Sequence, residues 1–259
     1  MATRPDHSSS QRAVRAYWDT HIHDLEITTH PPGSAGFFSD LEQYHFEKLH
    51  HLPRLVPFDR YRGRRVLEVG CGAGTDLIRF ARHGAIVTGI DLAPSSIALA
   101  AQNFALEQLP ARLVVADGEA LPFAERSFDL VYAHGVVQYT TDDRALVREC
   151  RRVLRPGGLA VFQVYNRLSW LNALSQVTKV DLEHVDAPML KKYSIGEFRD
   201  LLKEFRKVRI VPERFPVKTR LHGGLKGALY NTCFVGLFNA MPRALTRRFG
   251  WHLLAFCEV

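Results

Sequence analysis

The stretch RRVLEVGCGAGTDLIRFARHG, Arg64 to Gly84, decides the fold. Its opening, RVLEVG, is a short buried strand. TDLIRFARHG is a helix closed by Gly84, the residue type that ends helices most readily. Between them Gly70, Gly72 and Gly74 fall within five residues. Glycines there let a backbone approach a ligand closely, and the helix N-terminus that follows favours a negative group. The turn is not a dinucleotide fingerprint, because the sixth position of G-x-G-x-x-G is Thr75, and it lacks the G-K-[ST] of a phosphate-binding loop. Glu68 adds an acidic group at the mouth of the turn. A pyrophosphate would be repelled by it, and a cationic ligand would not.

Downstream, strands and helices alternate. AIVTGID is a strand and APSSIALAAQNFAL a helix opening at Pro94. ARLVVAD and SFDLVYAHG are strands. TDDRALVRECRRVLRPGG is a helix with aspartates first and arginines last, which suits its dipole. LAVFQVY is a fifth strand. This rhythm predicts a parallel sheet covered by helices on both faces. It breaks after Tyr165. SIGEFRDLLKEF is a further helix, with Ser194 and Glu197 at capping-box spacing, and KVRIVPERF and GWHLLAFCEV are the last strands. Upstream, RAVRAYWDTHIHDLEI and FFSDLEQYHFEKLHHLPRLVPF read as helices around the turn HPPGSAG. The expected organisation is a disordered tail over 1–12, a helical lid over 13–60, a core over 61–165, and a cap insertion plus the last two core strands over 166–259.

Ligands of such sheets sit beyond the carboxyl ends of the strands. Asp91 ends the second strand, where a carboxylate suits two ribose hydroxyls; with Pro94 following, it also reads as a helix cap. Asp117 ends the third strand, where it could accept from an adenine amine or simply shape the turn before Gly118.

The segments VLEVGCGAGTDL, VTGIDLAPSSI, VVADGEALPFAERSFDLVYAHGVVQYT and RVLRPGGLAVF together resemble the class I S-adenosylmethionine-dependent methyltransferases of the small-molecule type, strongly over about residues 62–165. The resemblance implies a Rossmann-like α/β fold: a seven-stranded mixed sheet with an antiparallel last strand. It implies that Gly70, Gly72 and Gly74 pack on the amino-acid end of S-adenosylmethionine, with Glu68 holding that end. Asp91 would take the ribose and Asp117 the adenine amine, with Cys71, Leu92, Gly118, Glu119 and His134 beside them. The flank around Tyr17, Trp18, His21 and HDLE resembles the first helix of a bacterial methyltransferase group.

A sulfonium methyl is electrophilic unaided, so transfer needs in-line alignment and exclusion of water, and a base only where the acceptor must lose a proton. His21, His134 and Tyr17 are the candidate catalytic groups. Tyr17, Trp18, Gln138, Tyr139 and Tyr193 are the candidate acceptor contacts. In the cap, apolar residues (Trp170, Leu171, Leu174, Tyr230, Phe234, Phe238) mix with Arg167, Lys191, Lys192, Lys218 and Arg220. That mixture suits an apolar acceptor with an anionic or polar end, or else a small cap core with a wet basic surface. Neither His21, His23 and Asp24 nor His45, Glu47, His50 and His51 have metal-ligand spacing, so no metal is expected.

The net charge is +7, and it is uneven: residues 151–259 carry 19 Lys and Arg against 8 Asp and Glu. That balance keeps a nucleic-acid (tRNA or rRNA) methyltransferase as the alternative, although HGVVQYT lacks the motifs of base-methylating relatives. A non-catalytic cofactor-binding protein is the other alternative. Four cysteines without paired spacing suggest reduced thiols in a cytoplasmic protein, and no stretch reaches the ~18 apolar residues of a membrane span.

Overall fold

A computed structural model describes residues 7–21, 24–179, 182, 184–216, 232 and 235–259. One seven-stranded sheet organises them. Its strands are β1 (Arg65–Val69), β2 (Ile86–Asp91), β3 (Arg112–Val115), β4 (Phe128–His134), β5 (Leu154–Tyr165), β6 (Lys207–Glu213) and β7 (His252–Glu258). The spatial order is β3-β2-β1-β4-β5-β7-β6. The first five strands pair in parallel, and β7 runs antiparallel between β5 and β6. The mixed sheet and its antiparallel last strand are as expected. The chain leaves β1 towards β2 and β3, then returns to add β4 on the other side. This reversal opens a crevice above the carboxyl ends of β1 and β4, where ligands of open α/β sheets bind.

Side chains of each strand alternate between two buried layers, as the two-residue repeat of a strand requires. Leu130 and Tyr132 face one layer, and Val131 and Ala133 the other. The first layer is closed by α2 (Ala35–Lys48), α3 (Leu52–Leu55), α4 (Thr75–Arg82) and α5 (Pro94–Leu106), through Leu49, Leu52, Phe58, Leu77, Phe80 and Phe104. The second is closed by α6 (Asp143–Val153) and α8 (Ile195–Leu201), through Leu146, Val147, Cys150 and Phe198. Ser194 and Glu197 form the capping box that their spacing predicts.

Two expected boundaries change. The helix α1 spans His7–Thr20, so residues 7–12 are helical rather than a disordered tail. It is anchored at its far end, where Asp19 accepts the Ser95 backbone N–H at 3.0 Å. The segment 13–60 is not a separable lid either: Leu49, Leu52, Val56 and Phe58 are built into the core under the sheet. In the cap, α7 (Trp170–Thr178) follows β5, and a bridge between Asn166 and Tyr193 fastens its base. Lys218, Arg220, Tyr230 and Phe234 lie outside the described residues, as does His23. Among the described residues, no helix is long and apolar enough to cross a membrane.

Candidate active site

The crevice over β1 and β4 holds a cleft of ≈ 260 Å³, reached by side chains of α1, α2, α4 and the ends of β1, β2, β4, β5 and β7. Its floor is the glycine turn. Gly70 has φ +69°, and a Cβ there would meet Val136 Cγ2 at 2.3 Å, so only glycine fits. Gly72 has φ +51° with nothing within 4 Å of its would-be Cβ. That open space is a cradle for a ligand.

Three carboxylates rim the turn. Glu68 is buried, and its Oε2 has no partner. Burial first, and then the charges of Asp76 and Asp91, push its pKa well up. A cationic ammonium would relieve both problems. Asp91 accepts from Gly72 N at 3.0 Å and Ala93 N at 2.9 Å, one on each oxygen. Burial pushes its pKa up, and these N–H groups act against that. Each oxygen keeps a second lone pair, so a diol can still bind. Asp117 accepts from Glu119 N at 2.8 Å through one oxygen and from the Gln11 side-chain amide through the other. Helix α1 therefore reaches across to the end of β3. Cys71, Leu92, Gly118 and His134 line the same cleft. Glu119 lines it too, but its carboxylate is taken up by Thr141 N, Thr141 Oγ1 and Asp142 N. It pins the loop after β4 rather than reaching for a ligand.

The other end of the cleft is aromatic and rich in histidine. Trp18 and Tyr139 line it, with ring centroids 5.0 Å apart, and His184 packs edge-on to Trp18 at 4.9 Å. The Tyr139 hydroxyl donates to the Tyr165 hydroxyl at 3.3 Å. His21 reaches the rim, with Nδ1 2.8 Å from the Tyr17 carbonyl. That contact assigns the proton to Nδ1 and leaves Nε2 as the basic nitrogen.

Three expected site residues lie elsewhere. Tyr17 is outside the cleft lining: its hydroxyl donates to Asp186 at 2.9 Å, and burial and then Asp186 push its pKa up to about 12. Tyr193 is buried against Phe198 and donates to Asp143 at 2.8 Å, which makes it a support of the cap base. Gln138 is fully buried behind the lining, and its backbone carbonyl accepts from Lys191 N. Of the cap's basic groups named from the sequence, the three described ones do not line the cleft, whereas Arg214 does. Arg167 pairs with Glu197, Lys191 with Asp143, and Lys192 donates to Asn172. Trp170 and Phe238 pack on each other, forming a small core of the cap's own.

The fold also delivers residues that the sequence reading passed over. Asp76 opens α4 immediately after the glycine turn and is 4% exposed. His45 from α2 places Nε2 3.0 Å from its Oδ1, and the Tyr132 hydroxyl donates to Oδ2 at 2.9 Å. His134 Nδ1 lies 3.6 Å from the same Oδ2. His252 packs edge-on to His134 at 6.0 Å, and His51 to His252 at 5.8 Å. Both nitrogens of His51, Nδ1 of His252 and Nε2 of Gln163 are buried without partners. Burial, then neighbouring positive groups, push His51 down to about 3. His45 stood out only as one of a run of histidines. Nothing in the local sequence tells that α2 lies against α4 and β4.

The sequence signature of the family described as "Methyltransferase domain" matches residues 67–162. A "Ubiquinone biosynthesis O-methyltransferase" of Coxiella burnetii is 33% identical over 106 residues, 41% of this chain and 45% of that protein. Its namesake from Methylocella silvestris is 36% identical over 141 residues, 52% and 53% of the two chains. The chain thus spans about half the length of these curated relatives. Among solved structures, a geranyl diphosphate C-methyltransferase from Streptomyces coelicolor, bound to S-adenosyl-L-homocysteine, covers 100% of both chains with TM-score 0.61 at 15% identity. An S-adenosylmethionine-dependent methyltransferase from Thermotoga maritima gives TM-score 0.62 at 16% identity, over 95% of this chain and 99% of that one. Residues 67–162 therefore match the methyltransferase domain family, within a chain that has the class I S-adenosylmethionine-dependent methyltransferase fold.

Proposed function

We propose that this chain is an S-adenosylmethionine-dependent methyltransferase acting on a small molecule, such as a natural product or other specialised metabolite. The observation that carries the reading is the set Glu68, Asp91 and Asp117 at or near the ends of three adjacent parallel strands, around a glycine turn with open space over Gly72. S-adenosylmethionine, when bound, supplies an electrophilic methyl group. Glu68 Oε2 holds an ammonium in the buried floor, Asp91 takes the ribose hydroxyls, and Asp117 faces the adenine. Trp18, Tyr139 and Tyr165 wall off the acceptor and keep water away from it. An apolar wall with a few convergent polar groups suits a small organic acceptor. The relatives' shared name speaks for oxygen as the acceptor atom.

Some basic groups of the second half are held in ion pairs. Arg155 pairs with Asp129, Arg167 with Glu197, and Arg206 and Lys207 with Glu258. Nucleic acid stays the alternative, because the Lys and Arg of residues 151–259 outnumber their Asp and Glu by 19 to 8. One protein of similar fold, at TM-score 0.57 and 19% identity, is a [4+2]-cyclase, so binding alone is no proof of transfer. The deciding experiment incubates the protein with methyl-labelled S-adenosylmethionine and, in parallel, small-molecule extract and total RNA. Label in an extractable small molecule supports the reading. Label in RNA alone, or none in either pool, overturns it.

A further inference from the structure

We propose that His45, Asp76 and His134 form a binding site for a divalent first-row transition metal ion, open towards the acceptor end of the cleft. The three side chains come from α2, the start of α4 and the end of β4. One donor atom from each lies within 4.8 Å of the other two. His45 Nε2 is 3.0 Å and His134 Nδ1 3.6 Å from the Asp76 oxygens. These separations are of the order expected for donors bound to one ion at ~2.0–2.2 Å. All three residues line the cleft, so the protein closes one side of the site and leaves the other side open. Three protein ligands with a vacant position is the pattern of a metal site that takes part in chemistry rather than in folding.

The donor set selects the ion. Two imidazoles and one carboxylate suit zinc, iron, cobalt, nickel or manganese, and not the all-oxygen shells of magnesium or calcium. The outer partners fit as well. The Tyr132 hydroxyl holds Asp76 Oδ2 at 2.9 Å, and fixing a ligating carboxylate is what such partners do. Lys48, which also lines the cleft, is paired with Asp24 at 3.0 Å. Beyond His134, the buried His252 and His51 add imidazoles with nitrogens that meet no protein partner. The open side gives room for an acceptor bearing a hydroxyl or another lone-pair donor. Binding there would orient that atom and ease the loss of its proton. This role in the acceptor's chemistry rests on the methyltransferase reading, whereas metal binding itself does not.

The test uses the whole chain stripped of metal by chelation and titrated with Co²⁺, without cofactor. The expected result is one equivalent bound, with the intense visible bands of a four- or five-coordinate ion. His45→Gln and His134→Gln should each weaken binding by more than the ~10–100-fold that loss of an outer partner costs, and Tyr132→Phe by about that outer-partner amount. His30→Gln, on the exposed surface, should leave it unchanged. S-adenosylhomocysteine stabilisation, measured on every variant, reports the fold and the cofactor reading separately. If that stabilisation persists while wild type gives only the weak spectrum of hydrated Co²⁺, the trio is a hydrogen-bonded relay and the metal site is refuted. Bands undiminished in both His45→Gln and His134→Gln also refute it. Metal bound as described without any S-adenosylhomocysteine effect would instead remove the methyltransferase reading and keep the site.

Discussion

Removing the Asp91 carboxylate should cost more cofactor affinity than removing that of Asp117, and the two environments say why. Asp91 closes β2 directly under the cleft. Its oxygens are steered by Gly72 N at 3.0 Å and Ala93 N at 2.9 Å, so the free lone pairs are pre-aimed before a ligand arrives. Two ribose hydroxyls donating to this charged group contribute roughly 1.5–3 kcal/mol each. Asp91→Ala should thus lose about 3–6 kcal/mol, or roughly 10²–10⁴-fold in Kd. Asp117 is already engaged on both oxygens, by Glu119 N and by the Gln11 amide. Each of its oxygens likewise keeps a second lone pair, but only a single adenine amine donates there, so Asp117→Ala should lose roughly 1.5–3 kcal/mol, about 10–150-fold. Calorimetric titration of S-adenosylhomocysteine into both variants measures the difference. Thermal melts without ligand control for the capping bonds lost at Asp91. Equal losses, or a larger loss at Asp117, would refute the assignment of the two strand ends.

Other expectations follow from single contacts. Gly70→Ala should destabilise the fold beyond the ~1–2 kcal/mol of a left-handed alanine, because its Cβ also runs into Val136, whereas Gly72→Ala should fold and lose affinity; melts and calorimetry separate the two. Trp18→Ala should lower turnover with little change in S-adenosylhomocysteine affinity, while Tyr17→Phe should leave turnover unchanged, since only Trp18 lines the cleft. Deleting residues 1–12 should weaken cofactor binding by about tenfold, ~1.4 kcal/mol, because Gln11 is part of the wall. Buried His51 titrates near 3 in the folded chain and near 6.5 when unfolded, so the unfolded state binds the extra proton between those values. Its contribution is full above about pH 6.5 and falls by about 1.4 kcal/mol for each unit of pH below that. Unfolding free energies from pH 7 to 5 should therefore slope less in His51→Phe than in wild type; an unchanged slope would show that His51 is not held neutral.

The cofactor half of the cleft was legible because it is local. The turn, the strand before it and the helix after it are consecutive, and Asp91 and Asp117 sit at strand ends that hydrophobic runs reveal. The half proposed for the acceptor is assembled at long range. His45, Asp76, His134 and His252 belong to four elements, and only the order β3-β2-β1-β4-β5-β7-β6 brings them to one chamber. The same limit explains Tyr193 and Glu119: residue type and proximity to a motif suggested ligand contacts, but Asp143 and Thr141 lie nearer to their polar atoms. The polar composition of 7–12 hid the start of a helix, since its burial is confined to a few positions such as Gln11.

The central claim is that the cleft is built for a cation next to a glycine turn, with a ribose and an adenine beyond it, rather than for a dinucleotide pyrophosphate. A calorimetric titration of the full chain with S-adenosylhomocysteine and, separately, with NAD addresses it directly. The account predicts one equivalent of S-adenosylhomocysteine bound, with a melting temperature that rises with ligand concentration as binding to the native state requires, and no heat from NAD. Saturable binding of NAD with none of S-adenosylhomocysteine would contradict it.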